Sequence, residues 1–494
     1  MRSLAATHLF RFAVAAILFF NWAVDAKEFL VTPETDFEEF AKEVTAGDSI
    51  LLQDGIWKDA DIKFERLPGT AQAPVHVRPQ TPGKVVLTGA TEFRISGEYV
   101  IVSGLVFRDT SGASDVVQLR THSERHAHHC RLTDCVFEQT PESETGIESR
   151  WLSVYGTENR IDHCYFGGKK NRGPTLVVWV SEAIESHRID HNHFGPRPEL
   201  GRNGGETIRI GTSDVSELDC RTVVEENYFH KCNGEAEIIS NKACGNVYRA
   251  NLFEKCEGAL TLRHGHRCTV DSNVFLGKEK SGTGGIRIIG QGHTVTNNYL
   301  EGLRGNEERA ALCVMNGIPN GALNSYAPVR DALVAHNTII DCKVTMEFGY
   351  RAGKKQNAAP TNCKFTHNLF LPGKWWLIRF HAEPVDCVWK GNKLQAERLR
   401  EEPKIQFDRV SPKLERSRDG LLRPTESKSL QASAASTVEF DIDRDPRGKV
   451  AIAGCDEVTK RVHSWPSANN TGPTWRREAK DEKVNSKNEI SLKQ

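Results

Sequence analysis

Three short segments concentrate the residues able to do chemistry: NGGE at 203–206, GEAEIISNK at 234–242 and LRHG at 262–265. Glu235 and Glu237 are two apart, so on a strand both carboxylates point the same way, and like charges that close are costly unless a cation or an arginine holds them. Oxygen donors alone favour a hard ion such as Ca²⁺ over zinc, and the side-chain carbonyl of Asn203 adds another oxygen. Lys242 ends the same segment, and Arg263 and His264 fall on the next one; cationic neighbours favour the neutral, basic form of a lysine. Arg209 in ETIRIG and Arg287 in GIRIIG flank the set. These groups together suit β-elimination on a uronic acid. A cation and guanidinium groups would neutralise the sugar carboxylate and acidify its C5 proton, Lys242 would take that proton, and the C4–O bond would break. A solvated charged face is the plainer reading of any one segment alone.

The elements that must carry these residues repeat. A short motif ending in an apolar residue returns at Phe137, Phe166, Phe194, Phe229, Phe253, Phe275, Leu300, Ile339 and Phe370, at intervals of about 22 to 39 residues. Between copies lie β-rich runs such as TLVVWV, ETIRIG, ALTLR and GIRIIG, with period-2 alternation and almost no 3.6-residue periodicity. Coils of this length stacked in register predict an all-β fold, a right-handed parallel β-helix. The series Asn192, Asn227, Asn251, Asn273, Asn298, Asn337 and Asn368 then occupies one turn of successive coils, where the amides bond the backbone and each other. Aligning residues 234–244 over 258–268 sets Glu235 beside Ala259 and Glu237 beside Thr261, with Arg263 on the same outward parity. A propeller would need longer repeats.

The ends read differently. Residues 1–26 combine Arg2 and Arg11 with an apolar stretch too short for a comfortable span and Val24-Asp25-Ala26 at its end, the pattern of a secretory signal cleaved after Ala26. The expectation is therefore a secreted or periplasmic protein with no stable membrane insertion. DFEEFAKEV near the start predicts a helical cap on the apolar stack of the β-helix domain, residues 27–395. Residues 396–467 lose the repeat and read as a peripheral cap, and residues 468–494 as a disordered polar tail. Equal numbers of basic and acidic residues, 65 each, leave no global field for nucleic acid, so a polyanion must be gripped locally. Cys220, Cys232, Cys244, Cys256 and Cys268 recur every twelve residues without the close pairs or histidine partners of a zinc site, and read mostly as small buried apolar side chains, with one or two disulfides left open among the 13 cysteines.

NGGE, GEAEIISNK and LRHG, in that order on successive coils, resemble polysaccharide lyase family 6, which contains alginate lyases and chondroitinase B. The resemblance spans about residues 27 to 395. It implies calcium ligands at Asn203, Glu235 and Glu237, a general base at Lys242, a general acid at Arg263, and site-lining roles for Glu206 and His264. Because guanidinium barely deprotonates, Arg263 alternatively acts by charge while water or His264 delivers the proton. Arg287 follows the alginate-active pattern, where the chondroitinase branch carries an apolar residue, so alginate is the expected anionic polysaccharide and dermatan sulfate the alternative. Arg304, Arg309, Arg351, Lys354 and Lys355 on later loops, and Tyr350, Trp375 and Trp376, are further candidates for the groove, with ordinary solvation or packing the plainer reading of each. Two rivals stand beside the lyase. A glycoside hydrolase would need carboxylates flanking the bond as acid and base, and a carbohydrate-binding solenoid would need neither Lys242 nor Arg263.

Overall fold

The computed structural model describes residues 26–478 except 111, 183, 373–374, 396–404, 433–435 and 459–462. The expected signal segment, apart from its last residue, lies outside them, and no described helix is long and apolar enough to cross a membrane.

Three sheets of fourteen strands each run the length of the molecule, and one strand of each coil joins each sheet in turn. Pairing is parallel throughout these sheets except for the hairpin Arg120–His122 with Arg125–His128. The expected parallel β-helix is the observed fold. Its interior is a set of stacked apolar rows, the clearest being Phe107, Phe137, Phe166, Phe194, Phe229, Phe253 and Phe275, whose consecutive rings lie 4.5 to 4.9 Å apart.

The asparagine series explains why the motif repeats. Each backbone N–H in the row donates to the side-chain oxygen of the next asparagine at 3.0 to 3.1 Å, from Asn192 through Asn227, Asn251, Asn273, Asn298, Asn337 and Asn368. Asn392 extends the row by one step. The residue before each of these asparagines has positive φ, from His191 at 54° to Gly391 at 67°. Each coil from Asn192 to Asn392 therefore turns through one left-handed residue and satisfies the buried amide that follows it along the stack.

At the start, the helix is short, Phe37–Phe40, with Asp36 capping it through the backbone N–H of Glu39; Phe37 is buried and closes the stack against Trp57 and Phe64. All 13 cysteines are free thiols, and all but Cys387 are buried. Asp408–Arg409 pairs with Lys393–Leu394 as the last strand of the third sheet, and the chain after it lies along the outside of the coils. Its residues Leu421, Leu430, Ile442, Ile452 and Trp465 pack on Tyr228, Leu252, Val274 and Tyr299. Part of the expected tail is docked as well: Thr474 and Trp475 bond Asp134, and Arg476 pairs with Glu138. Residues 479–494 lie outside the described residues.

Candidate active site

The second sheet carries the charged segments. Its register aligns Arg209 with Ser240, Ser240 with Thr261, and Thr261 with Arg287. Ile208 and Ile210 beside Arg209, and Leu260 and Leu262 beside Thr261, are fully buried. The row therefore faces outward, with two arginines three strand spacings apart, about 14 Å, and two small hydroxyl residues between them. Ser240 and Thr261 are themselves fully covered, so the row presents an arginine at each end of a closely packed stretch.

The acidic side of the groove depends on backbone contact between coils. A Cβ at Gly205 would lie 2.4 Å from the Gly234 carbonyl oxygen, and one at Gly234 would lie 2.1 Å from that of Gly205, so neither position admits a side chain. This approach brings the N–H groups of Gly204 and Gly205 to the Oε2 atom of Glu235, at 2.8 and 3.3 Å. Glu237 opens the strand Glu237–Lys242; its Oε2 accepts from Ser240 Oγ at 2.5 Å, and its Oε1 lies 3.4 Å from Arg287 Nη1 and 3.9 Å from Arg263 Nε. Asn203, Glu235 and Glu237 line one cavity of about 350 Å³, with Glu199, Glu257 and Arg309 on its other walls. Glu206 is buried nearby and its Oε2 has no hydrogen-bond partner. Burial, reinforced by the charges of Glu206 and Glu237, pushes the Glu235 carboxyl up to about 7. Asn203, Glu235 and Glu237 offer this cavity oxygen donors only, the donor type that suits a hard divalent cation.

The register differs from the sequence alignment in one respect. Glu237, not Glu235, pairs with Ala259; Ser240 pairs with Thr261; and Lys242 pairs with His264. Irregularities between Glu237 and Ile239, and between Asn241 and Lys242, shift the strand against its neighbour. Glu235 accordingly lies in the turn before the strand, and reaches the cavity from there.

The basic side begins at the Lys242–His264 pair. His264 Nε2 lies 3.1 Å from Ser213 Oγ, and its Nδ1 faces Arg263 Nη1 at 3.5 Å. Burial, then the charges of Arg263 and Lys242, drives the imidazole down to about 3, so it is neutral at ordinary pH. Because Arg263 can only donate, Nδ1 accepts and the ring proton sits on Nε2, aimed at Ser213. Burial lowers the pKa of Arg263. Its guanidinium lies 4.2 Å from the centre of the Tyr326 ring, and the Tyr326 hydroxyl accepts from Arg287 at 3.2 Å and Arg351 at 3.4 Å.

Arg209 sits one coil upstream, over the Trp179 ring at 5.3 Å, with its Nε unpartnered. The structure thus gathers Asn203, Glu206, Arg209, Glu235, Glu237, Lys242, Arg263, His264 and Arg287 on one face. Arg304 instead pairs with Glu279 and Asp341 over Trp375, Tyr350 donates to Glu307, and Trp376 underlies Arg379. Tyr326 escaped sequence reading because it lies in a loop with no periodicity. The long interval between Leu300 and Ile339, 39 residues, was the available sign that a loop had been inserted beside the site.

A family model described as chondroitinase B matches residues 31–374. The chain belongs to the chondroitinase B family. Among solved structures, a mutant of the family 6 alginate lyase AlyGC is 36% identical, with a TM-score of 0.81 over 91% of this chain and 58% of its own. AlyGC itself is 39% identical, with a TM-score of 0.77 over 81% of this chain and 56% of its own. A mannuronic acid specific family 6 lyase from human gut microbiota is 34% identical, with a TM-score of 0.63 over 75% of this chain and 86% of its own. The chain thus spans less than three fifths of the AlyGC chains. No curated protein matches it.

Proposed function

We propose that the chain is an exported polysaccharide lyase that cleaves alginate by β-elimination, with Ca²⁺ as its metal. The observation that carries this reading is the placement of Lys242 beside His264 and Arg263, on the strand that begins with Glu237 in the carboxylate cavity. A bound calcium ion would supply positive charge against the substrate carboxylate. Lys242 takes the C5 proton. Arg287, buried, and Arg263, half-buried, both oriented by Tyr326 and Glu237, oppose the negative charge that develops on the sugar carboxylate. His264 stays neutral and holds its place between Arg263 and Ser213, so a water molecule rather than this imidazole delivers the proton to the departing O4.

Alginate is favoured over dermatan sulfate by Arg287, which lies in the same outward row as Thr261, and by the description of relatives at 34 to 39% identity as alginate lyases or as mannuronic acid specific. The test is absorbance of the unsaturated product on mannuronate-rich, guluronate-rich and mixed alginate and on dermatan sulfate, with calcium and with chelator. The reading expects a calcium-dependent rise on alginate. A rise on dermatan sulfate alone would reverse the substrate, and no rise on any of them would favour a binding solenoid.

A further inference from the structure

A second carboxylate cluster lies far from the groove in the fold, on the C-terminal strap that covers the outside of the other two sheets. Asp441, Asp443 and Asp456 are 0, 1 and 6% exposed, and one oxygen from each lies within 4.8 Å of the others. Asp441 accepts backbone N–H groups from Asp443 and Asp445, both at 2.9 Å, and from Glu457 at 3.1 Å. Asp443 accepts from the backbone of His463 at 2.9 Å and from both terminal nitrogens of Arg423. Asp456 Oδ2 lies 3.0 Å from Arg423, and its Oδ1 is buried with no hydrogen-bond partner. Arg423 also holds Asp419 at 2.5 Å, and Arg447 is engaged with Glu457 at 3.1 Å. Five carboxylates therefore share two guanidinium groups in a dry setting, where unbalanced charge is expensive.

The orphaned oxygen of Asp456 is what separates this cluster from an ordinary ion-pair network. A buried carboxylate oxygen that finds no donor, while its neighbours are also acidic, is relieved by a proton or by a cation. The donors are all oxygens, which selects a hard ion. Calcium–oxygen bonds of about 2.3 to 2.6 Å allow ligands on opposite sides of the ion to stand about 5 Å apart, whereas the shorter bonds of magnesium demand a tighter cluster. We propose that Asp441, Asp443 and Asp456 bind a structural calcium ion, distinct from the cavity at Glu235 and Glu237.

Its role follows from what surrounds it. The strap has little regular secondary structure, its one described two-stranded sheet being Leu414–Arg416 with Leu422–Pro424, and beside the cluster its two branches meet through single backbone bonds such as Ile442 N–H to the Cys455 carbonyl at 2.8 Å. Around the cluster, Arg444 pairs with Asp271, Arg447 donates to Asn297 Oδ1 at 2.7 Å, and the Cys455 N–H donates to Thr338, each contact gripping a turn or strand of a different coil. Asn297 is the left-handed residue that precedes Asn298 in the asparagine row. An ion joining residues 441–443 to residue 456 would tie both branches of the strap at the point where it clasps three successive coils.

The test uses the full chain carrying Glu235→Gln and Glu237→Gln, which removes the carboxylates of the groove cavity. Calorimetric titration of this chelator-treated variant with calcium chloride is expected to show one bound ion, and calcium to raise its unfolding temperature by several degrees. Adding Asp456→Asn, which keeps the shape but removes the charge, should abolish both effects. Terbium gives a second readout: Trp465 donates its indole N–H to Asp419 at 3.0 Å, so it stands near enough to sensitise emission from an ion at the cluster. That emission should fall in Trp465→Phe even if Asp456→Asn fails to fold. A double variant that binds no calcium, shows no thermal shift and gives no emission dependent on Trp465 would overturn the proposal and leave Arg423 with a protonated Asp456 as the whole of the cluster.

Discussion

At the scale of single residues, the division of labour turns on which groups can exchange a proton. Burial, then the charges of Arg263 and Lys242, drives His264 down to about 3, so an imidazolium is not available there at neutral pH. His264→Gln, which keeps a side chain able to donate to Ser213 and accept from Arg263, is expected to retain activity to within about tenfold and to leave the shape of the kcat against pH profile unchanged. Loss of a hundredfold or more together with loss of one limb of that profile is the signature of a general acid and would contradict the assignment. The chemistry of these residues was legible in sequence because residue type alone restricts it: two carboxylates at alternate positions, then a lysine, then an arginine and histidine. Tyr326, which orders three of the arginines, was not legible, since an aromatic residue in an irregular loop carries no periodic mark.

At the scale of elements, the asparagine turn holds the coils in register and so holds the groove together. Asn251 Nδ2 donates to the Val224 carbonyl and to Asn273 Oδ1, while its own oxygen accepts from the N–H and the side chain of Asn227. Asn251→Ala strands several of these buried partners, and is expected to cost about 3 kcal/mol in denaturant unfolding while leaving the groove residues in place. The same turn supplies a pH-dependent term. His191 contacts Asp190 at 2.8 Å and Glu226 at 2.7 Å, and these bonds raise its pKa from the ordinary 6.5 to about 9. A raised histidine stabilises fully below its unfolded value, so this contribution is complete below about pH 6.5 and is lost as pH climbs towards 9. Stability measured across that window should fall less steeply in His191→Gln. The repeat was readable because the turn demands asparagine at one position, coil after coil. The strand register was not, because the irregularities within Glu237–Lys242 leave no trace in residue type, and a fixed offset of one repeat therefore misplaced Glu235.

At the scale of the molecule, a stack of coils places chemistry from separate segments on a single face at intervals set by strand spacing. Arg209 and Arg287 stand three strand spacings apart on this sheet, about 14 Å, and the strand Glu237–Lys242, which runs from the carboxylate cavity to the Lys242–His264 pair, crosses the row between them. The strap on the opposite walls contributes none of these groups. Its order was hidden from sequence because it rests on contacts with coils more than 100 residues away, such as Arg416 with Glu301 and Thr474 with Asp134. The central claim is that this face carries out β-elimination with Lys242 as base. The most direct measurement is the initial rate of absorbance gain on alginate, in calcium, for the wild-type chain and Lys242→Ala. The account predicts a fall in kcat of about 10² to 10⁴ with the β-sheet spectrum and unfolding temperature preserved. A folded Lys242→Ala chain that forms unsaturated product at the wild-type rate would contradict it.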